Sequence, residues 1–137
     1  MQANELKIGN WVYEVNENSK GTIAAILQNE RDIFDVEMLN KDGMFFEVQL
    51  EDIKPIPLTE EWLVKLGFKL KDGQDDDKDS TMYHRNMICD IEYGDGSVFW
   101  HDNYTSIYHK SITYVHDLQN LYHAIMGEEL KIKQEVI

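Results

Sequence analysis

Both prolines of the chain fall within three residues, in EDIKPIPLTEEW, and they divide everything around them. Pro55 and Pro57 each lack a backbone donor and push the residue before them toward extended geometry, so the segment should leave any sheet as a stiff connector. Thr59 follows as a good N-cap, and Glu60 and Glu61 occupy the first turn, where the helix dipole favours negative charge. Trp62, Leu63 and Leu66 supply an apolar side and Gly67 a natural stop. A helix of about two turns is expected over 60–66. The boundary at residue 57 leaves two parts, 1–57 and 58–137.

The first part reads as β. NWVYEV alternates, with Trp11, Tyr13 and Val15 facing one way. NENSKG (16–21) is a polar turn in which Gly21 can take positive φ. TIAAIL, IFDVEML and MFFEVQL are further strand candidates, separated by QNERD and by the turn signal NKDG. Short strands with tight turns suggest a small curled sheet. The opening LKIGNWVYEV followed by KGTI resembles the first hairpin of SH3-like barrels.

In the second part FKL is a short strand candidate, and KDGQDDDKDS is a polar loop with no apolar residue from Lys71 to Ser80. A hairpin is expected over about 87–104. Asp95-Gly96 suits a type I′ turn, which sets Tyr93 opposite Val98, Ile91 opposite Trp100 and Cys89 opposite Asp102. Cys89, Ile91, Tyr93, Val98, Trp100 and Tyr104 then share the core face; Ile88, Asp90, Glu92, Phe99 and His101 share the other. A second helix is expected over about 114–126, with Val115, Leu118, Leu121, Tyr122 and Ile125 on one stripe and His116, Asn120 and His123 opposite. That stripe should pack on the hairpin face bearing Trp100. Gly127 ends the helix, and EELKIKQEVI either frays or adds an edge strand.

Charge narrows the function. The formal net charge is −13, and the acidity is spread over both parts, with 5 basic and 11 acidic residues in 1–57 and 8 and 15 in the rest. Such a surface repels phosphate backbones and anionic lipid unless a basic patch intervenes, so basic protein partners rise and nucleic acid falls. Hydrophobic content of 42% supports a folded core. No apolar run approaches a membrane span, and MQANELKIGNW has no basic region followed by an apolar stretch, so a cytoplasmic protein without membrane partners is expected. The single cysteine rules out an internal disulfide and suits a reducing compartment.

Candidate sites can be weighed one by one. His116 and His123, seven apart, point the same way but sit roughly 10 Å apart along a helix, too far to share one zinc ion. The aspartates at 75, 76, 77 and 79 invite a calcium reading, but an EF-hand loop from Asp75 would need glycine at Ser80 and glutamate at Asn86. One begun at Asn16 fails at Lys20 and Leu27. An acidic loop over 72–80 is the better reading, with weak divalent binding left open. Cys89 and His101 fall on opposite hairpin faces, which disfavours a thiol dyad. Asp90 and His101 pair across the strands, and with Glu92 they form a speculative polar site. No P-loop, GxGxxG, HExxH or GxSxG motif occurs. No catalytic residue, cofactor or metal ligand set is assigned, and the chain is not expected to be an enzyme.

Three segments together carry a resemblance: LKIGNWV, IKPIPLTEEWLVKLGF and YVHDLQNLYHAIMGEEL. They resemble a family of small uncharacterised proteins carried by gut anaerobic bacteria, their prophages and mobile elements. At His123 and Met126 the chain departs from that family's aromatic and small polar residues, which weakens any special role for His123. The resemblance implies mobile-element origin and cytoplasmic residence; it implies no activity.

The expectation is therefore an α+β protein: an SH3-like small β-barrel over 1–57, then a helix–β-hairpin–helix portion over 58–137. Its expected role is that of a phage-associated adaptor binding another protein. The alternative is a nucleic-acid-associated barrel using Lys7, Lys20 and Lys54.

Overall fold

A computed structural model describes residues 2–28, 30–31, 33–70, 81–85, 89–94, 96–101 and 112–132, without the side chains of Thr81, Cys89, Phe99 and His101. The expectations for the 72–80 loop, Ile88, Asn86, Asp95, Asp102 and Tyr104 lie outside the described residues. The chain is α+β, built on two antiparallel sheets and two helices. It forms two compact units, Met1–Ile56 with Val115–Glu129, and Pro57–Tyr114 with Leu130–Ile137.

The first unit holds strands β1 (Trp11–Glu14), β2 (Ser19–Gln28), β3 (Phe34–Asn40), β4 (Phe45–Gln49) and β5 (Ile53–Pro55), in the order β4-β3-β2-β1-β5. One cluster of Leu6, Val12, Ile23, Val36, Met38, Val48 and Ile53 draws a side chain from every strand, as a curled sheet does when its concave face is its core. Each strand member sits at the inward position of a period-two pattern, with exposed or half-buried neighbours beside it, and Leu6 joins them from the turn before β1. The strand order runs from β4 to β5 with no pairing between them among the described residues, so closure into the expected SH3-like barrel is not seen. Pro55 is a strand residue, pairing with Val12 on the edge strand β5, the place in a sheet where a missing donor costs least.

Gly21 serves a different purpose from the one its sequence context suggests. The positive φ of the β1–β2 turn belongs to Asn18, at 48°. Gly21 lies within β2, and a Cβ there would stand 2.7 Å from the Leu39 carbonyl oxygen and 3.2 Å from the Met38 methyl. It is glycine because β3 passes too close for any side chain.

Helix α2 (Val115–Met126) completes this unit, and it ends at Gly127, whose φ is +73°. Trp11 N–H donates to Gln119 Oε1 at 2.8 Å, and Gln119 Nε2 donates to the Gly9 carbonyl at 3.1 Å. Asn10 Nδ2 donates to Asn120 Oδ1 and Asn120 Nδ2 to the Glu5 carbonyl, each at 2.9 Å. Asn10 Oδ1 in turn accepts from Lys7 N–H at 2.7 Å. Side-chain amides thus satisfy backbone groups that no strand reaches.

The second unit opens with α1 (Glu60–Lys65), where Thr59 Oγ1 accepts from Trp62 N–H at 3.2 Å and Gly67 turns the chain at φ +92°. Trp62, Leu63 and Leu66 are buried. Strands β6 (Lys69–Leu70), β7 (Thr81–Arg85), β8 (Cys89–Gly94) and β9 (Ser97–His101) form a four-stranded sheet in sequence order. The helix–hairpin–helix order does not hold: β6 and β7 extend the hairpin to four strands, and the closing helix belongs to the first unit. β7 escapes sequence reading because TMYHR is short and follows ten polar residues. The hairpin register is as expected, Tyr93 opposite Val98 and Ile91 opposite Trp100, with Ile91, Val98 and Trp100 buried. The Tyr83 phenol is pushed up from its ordinary pKa by burial and by the Glu60 carboxylate. Among the described residues no helix is long and apolar enough to cross a membrane.

Candidate functional site

The β1 alternation places Val12 and Glu14 inward, the opposite set from Trp11 and Tyr13, and so it buries a carboxylate. Glu14 is 1% exposed. Its Oε1 accepts from Asn16 N–H at 3.0 Å and its Oε2 from Glu17 N–H at 2.5 Å, so the buried charge closes the β1–β2 turn. Val15 N–H donates to the Asp52 carbonyl at 3.0 Å, which draws the short 3-10 turn Leu50–Asp52 to the same place.

Beside this turn lies a cavity of about 310 Å³. Five carboxylates line it, Glu14, Glu17, Asp35, Glu47 and Asp52, with Val48 and two amide side chains completing the wall. No lysine, arginine or histidine is part of that lining. Five like charges around one cavity create a strongly negative, partly desolvated volume, which attracts cations and repels phosphate. Among the described residues no group of three histidine, cysteine or carboxylate side chains is arranged to hold a metal ion. Sequence reasoning missed this site, although a signal was present: Glu14 shares the parity of Val12, so whichever buries one must turn the other inward.

The residues singled out from the sequence are distributed differently. Asp90 stands opposite His101, and Glu92 opposite Phe99, in the backbone register of β8 and β9. The side chain of His101 lies outside the described residues, as does that of Cys89. On the other side of β8, His84 of β7 stands opposite Asp90, and its buried Nδ1 has no hydrogen-bond partner among the described residues. His116 is 3% exposed, with Nε2 at 3.3 Å from Asp117 Oδ1, whereas His123 is exposed. The expectation that both histidines lie opposite the buried side of the helix therefore holds for His123 and fails for His116. Asn120, placed opposite the apolar stripe, is half-buried because it docks the helix. Ile125, placed on that stripe, is 43% exposed, because the buried side is rotated toward His116 and Gln119 and carries them with Val115, Leu118 and Tyr122.

Of the three lysines, Lys20 and Lys54 flank Tyr13 in one row across β2, β1 and β5; Lys7 precedes β1, outside that row. Compared with known proteins, the chain matches no family model, no curated protein and no solved structure.

Proposed function

We propose that this protein is a non-enzymatic interaction protein that docks a basic segment of another protein at the acidic cavity of its first unit. The observation that carries this reading is the ring of five carboxylates with no base in the lining. A lysine or arginine side chain entering the cavity relieves their mutual repulsion. The net charge of −13 speeds the encounter with a basic partner at low salt. The resemblance of the three sequence segments supports a mobile-element origin, and the absence of catalytic motifs supports a binding role.

The test is calorimetric titration with a lysine- and valine-containing octapeptide at several salt concentrations. Binding should fall steeply with salt, and the double variant Glu17→Gln, Asp35→Gln should bind about tenfold more weakly at low salt, equivalent to ~1.4 kcal/mol. Salt-independent binding, or equal binding by the variant, contradicts the proposal. The row Lys20–Tyr13–Lys54 favours a second reading, in which an aromatic between two bases contacts nucleic acid. Filter binding at low salt decides it: no retention of single-stranded DNA or RNA ends the idea.

A further inference from the structure

Strand β4 is one end of the first sheet, and on its outer side it pairs with no strand among the described residues. The register with β3 shows which of its backbone groups are free. Asn40 N–H donates to the Met44 carbonyl at 2.9 Å, which makes that pair a hydrogen-bonded one. Antiparallel pairs alternate, so Met38–Phe46 and Val36–Val48 are bonded as well, while Leu39–Phe45, Glu37–Glu47 and Asp35–Gln49 are not. The N–H and C=O of Phe45 and Glu47 and the N–H of Gln49 therefore point away from β3, along the free edge, while the Gln49 carbonyl opens the 3-10 turn Leu50–Asp52.

Side chains beside this edge specify what it accepts. Val48 faces inward and is buried, with Phe46 partly buried beside it against the core, so residues alternating with them on an added strand would meet apolar surface. Glu47 faces outward, directly opposite Glu37 and one row from Asp35. Like charges opposite one another across a strand pair are destabilising, and a cation beside them removes the penalty. A second copy of the same edge would set Glu47 near another Glu47, so self-pairing is disfavoured. Met44 and Phe45, 65% and 62% exposed, add apolar surface at the start of the edge. Glu47 and Gln49 also line the acidic cavity, so the edge leads directly into it.

We infer that the free edge of β4 takes an additional antiparallel strand from the partner, an extended segment that alternates apolar and basic residues. This rests on the reading of the cavity as a dock for a basic partner and adds the backbone geometry of the bound segment. The basic residues of that strand lie opposite Phe45, Glu47 and Gln49, on the same sheet face, and their own N–H groups point at β4. The apolar residues follow Phe46 and Val48, and their N–H groups point outward.

That parity yields the test. The probe is an octapeptide of alternating valine and lysine, made in three forms: unmodified, methylated at every lysine nitrogen of the backbone, and methylated at every valine nitrogen of the backbone. Charge and composition are constant, so cavity attraction alone treats all three alike. The expected result is that the valine-methylated form binds like the unmodified one, the lysine-methylated form at least tenfold more weakly. Amide exchange at Phe45, Glu47 and Gln49 should slow when the unmodified peptide is bound. On the protein side, Glu47→Pro should lose at least tenfold more affinity than Glu47→Gln, because both remove the charge and only proline removes the donor. Equal binding of the two methylated forms, or Glu47→Pro behaving as Glu47→Gln, overturns the edge inference and leaves salt-dependent docking intact. Absence of any salt-dependent binding overturns the docking reading itself.

Discussion

The signals that place helix α1 lie among its own neighbours in sequence, whereas α2 is docked by side-chain hydrogen bonds to residues 108 to 115 positions away. In α1 the cap, the acidic first turn, the apolar side and the stop glycine fall between Thr59 and Gly67. In α2 the decisive contacts are two side-chain amides, Gln119 and Asn120, that reach back to Glu5, Gly9, Asn10 and Trp11. An apolar stripe can pack on many surfaces, but a row of amides with fixed donors and acceptors fits one. The difference shows how a chain can place a late helix in an early unit, with polar matching selecting among apolar alternatives.

The largest effect should come from α1. Leu63 is fully buried, so Leu63→Ala should cost 2–5 kcal/mol in urea unfolding, roughly the range for buried leucine truncation. A loss near zero would mean that burial is not what fixes this helix. Next is Gln119→Ala, which leaves the Trp11 N–H and the Gly9 carbonyl without their partner and should cost about 2–4 kcal/mol. Gln119→Glu keeps the acceptor for Trp11 but sets a buried carboxylate oxygen against the Gly9 carbonyl, so it should cost at least as much as alanine. A smaller cost than for Thr59→Ala would erase the contrast between the helices. Thr59→Ala itself removes one cap bond and should cost about 1 kcal/mol.

The smallest effect concerns pH, and it acts on α2 alone. Burial holds the His116 imidazole below its ordinary pKa, against the pull of the Asp117 and Glu5 carboxylates. The unfolded chain therefore binds the proton more readily than the folded one. Stability contributed by neutral His116 is fully present above about pH 6.5 and is lost as pH falls through the lower folded value. Urea midpoints measured from pH 8 to pH 5 should drop less steeply in His116→Gln than in wild type. Parallel profiles would show that the imidazole does not couple to folding.

The same contrast explains what could be read without coordinates. Thr59, Gly67 and Gly127 are local signals, and they located both helices to within a residue or two. The hairpin register followed from two turn residues. Gln119 and Asn120 gave no local signal, because an amide on a helix looks solvated until its partner is known. Only the apolar stripe of α2 shows in the sequence, and the side-chain hydrogen bonds that tie the helix to residues 5–11 do not. The acidic cavity was hidden for a related reason: its five carboxylates come from four separate segments, and only the buried parity of Glu14 hints at them. His84 was overlooked because its strand was not foreseen.

Gln119 fastens α2 to the start of β1. Native-state hydrogen exchange at the Trp11 amide tests it most directly, since β2 pairs with that residue without using its N–H and β5 begins its pairing one residue later, at Val12. Trp11 should exchange slowly in wild type and rapidly in Gln119→Ala, with the amides of Val98 and Ile112, each donating to the other's carbonyl in the second unit, unchanged. Equal protection of Trp11 in the two proteins would contradict it.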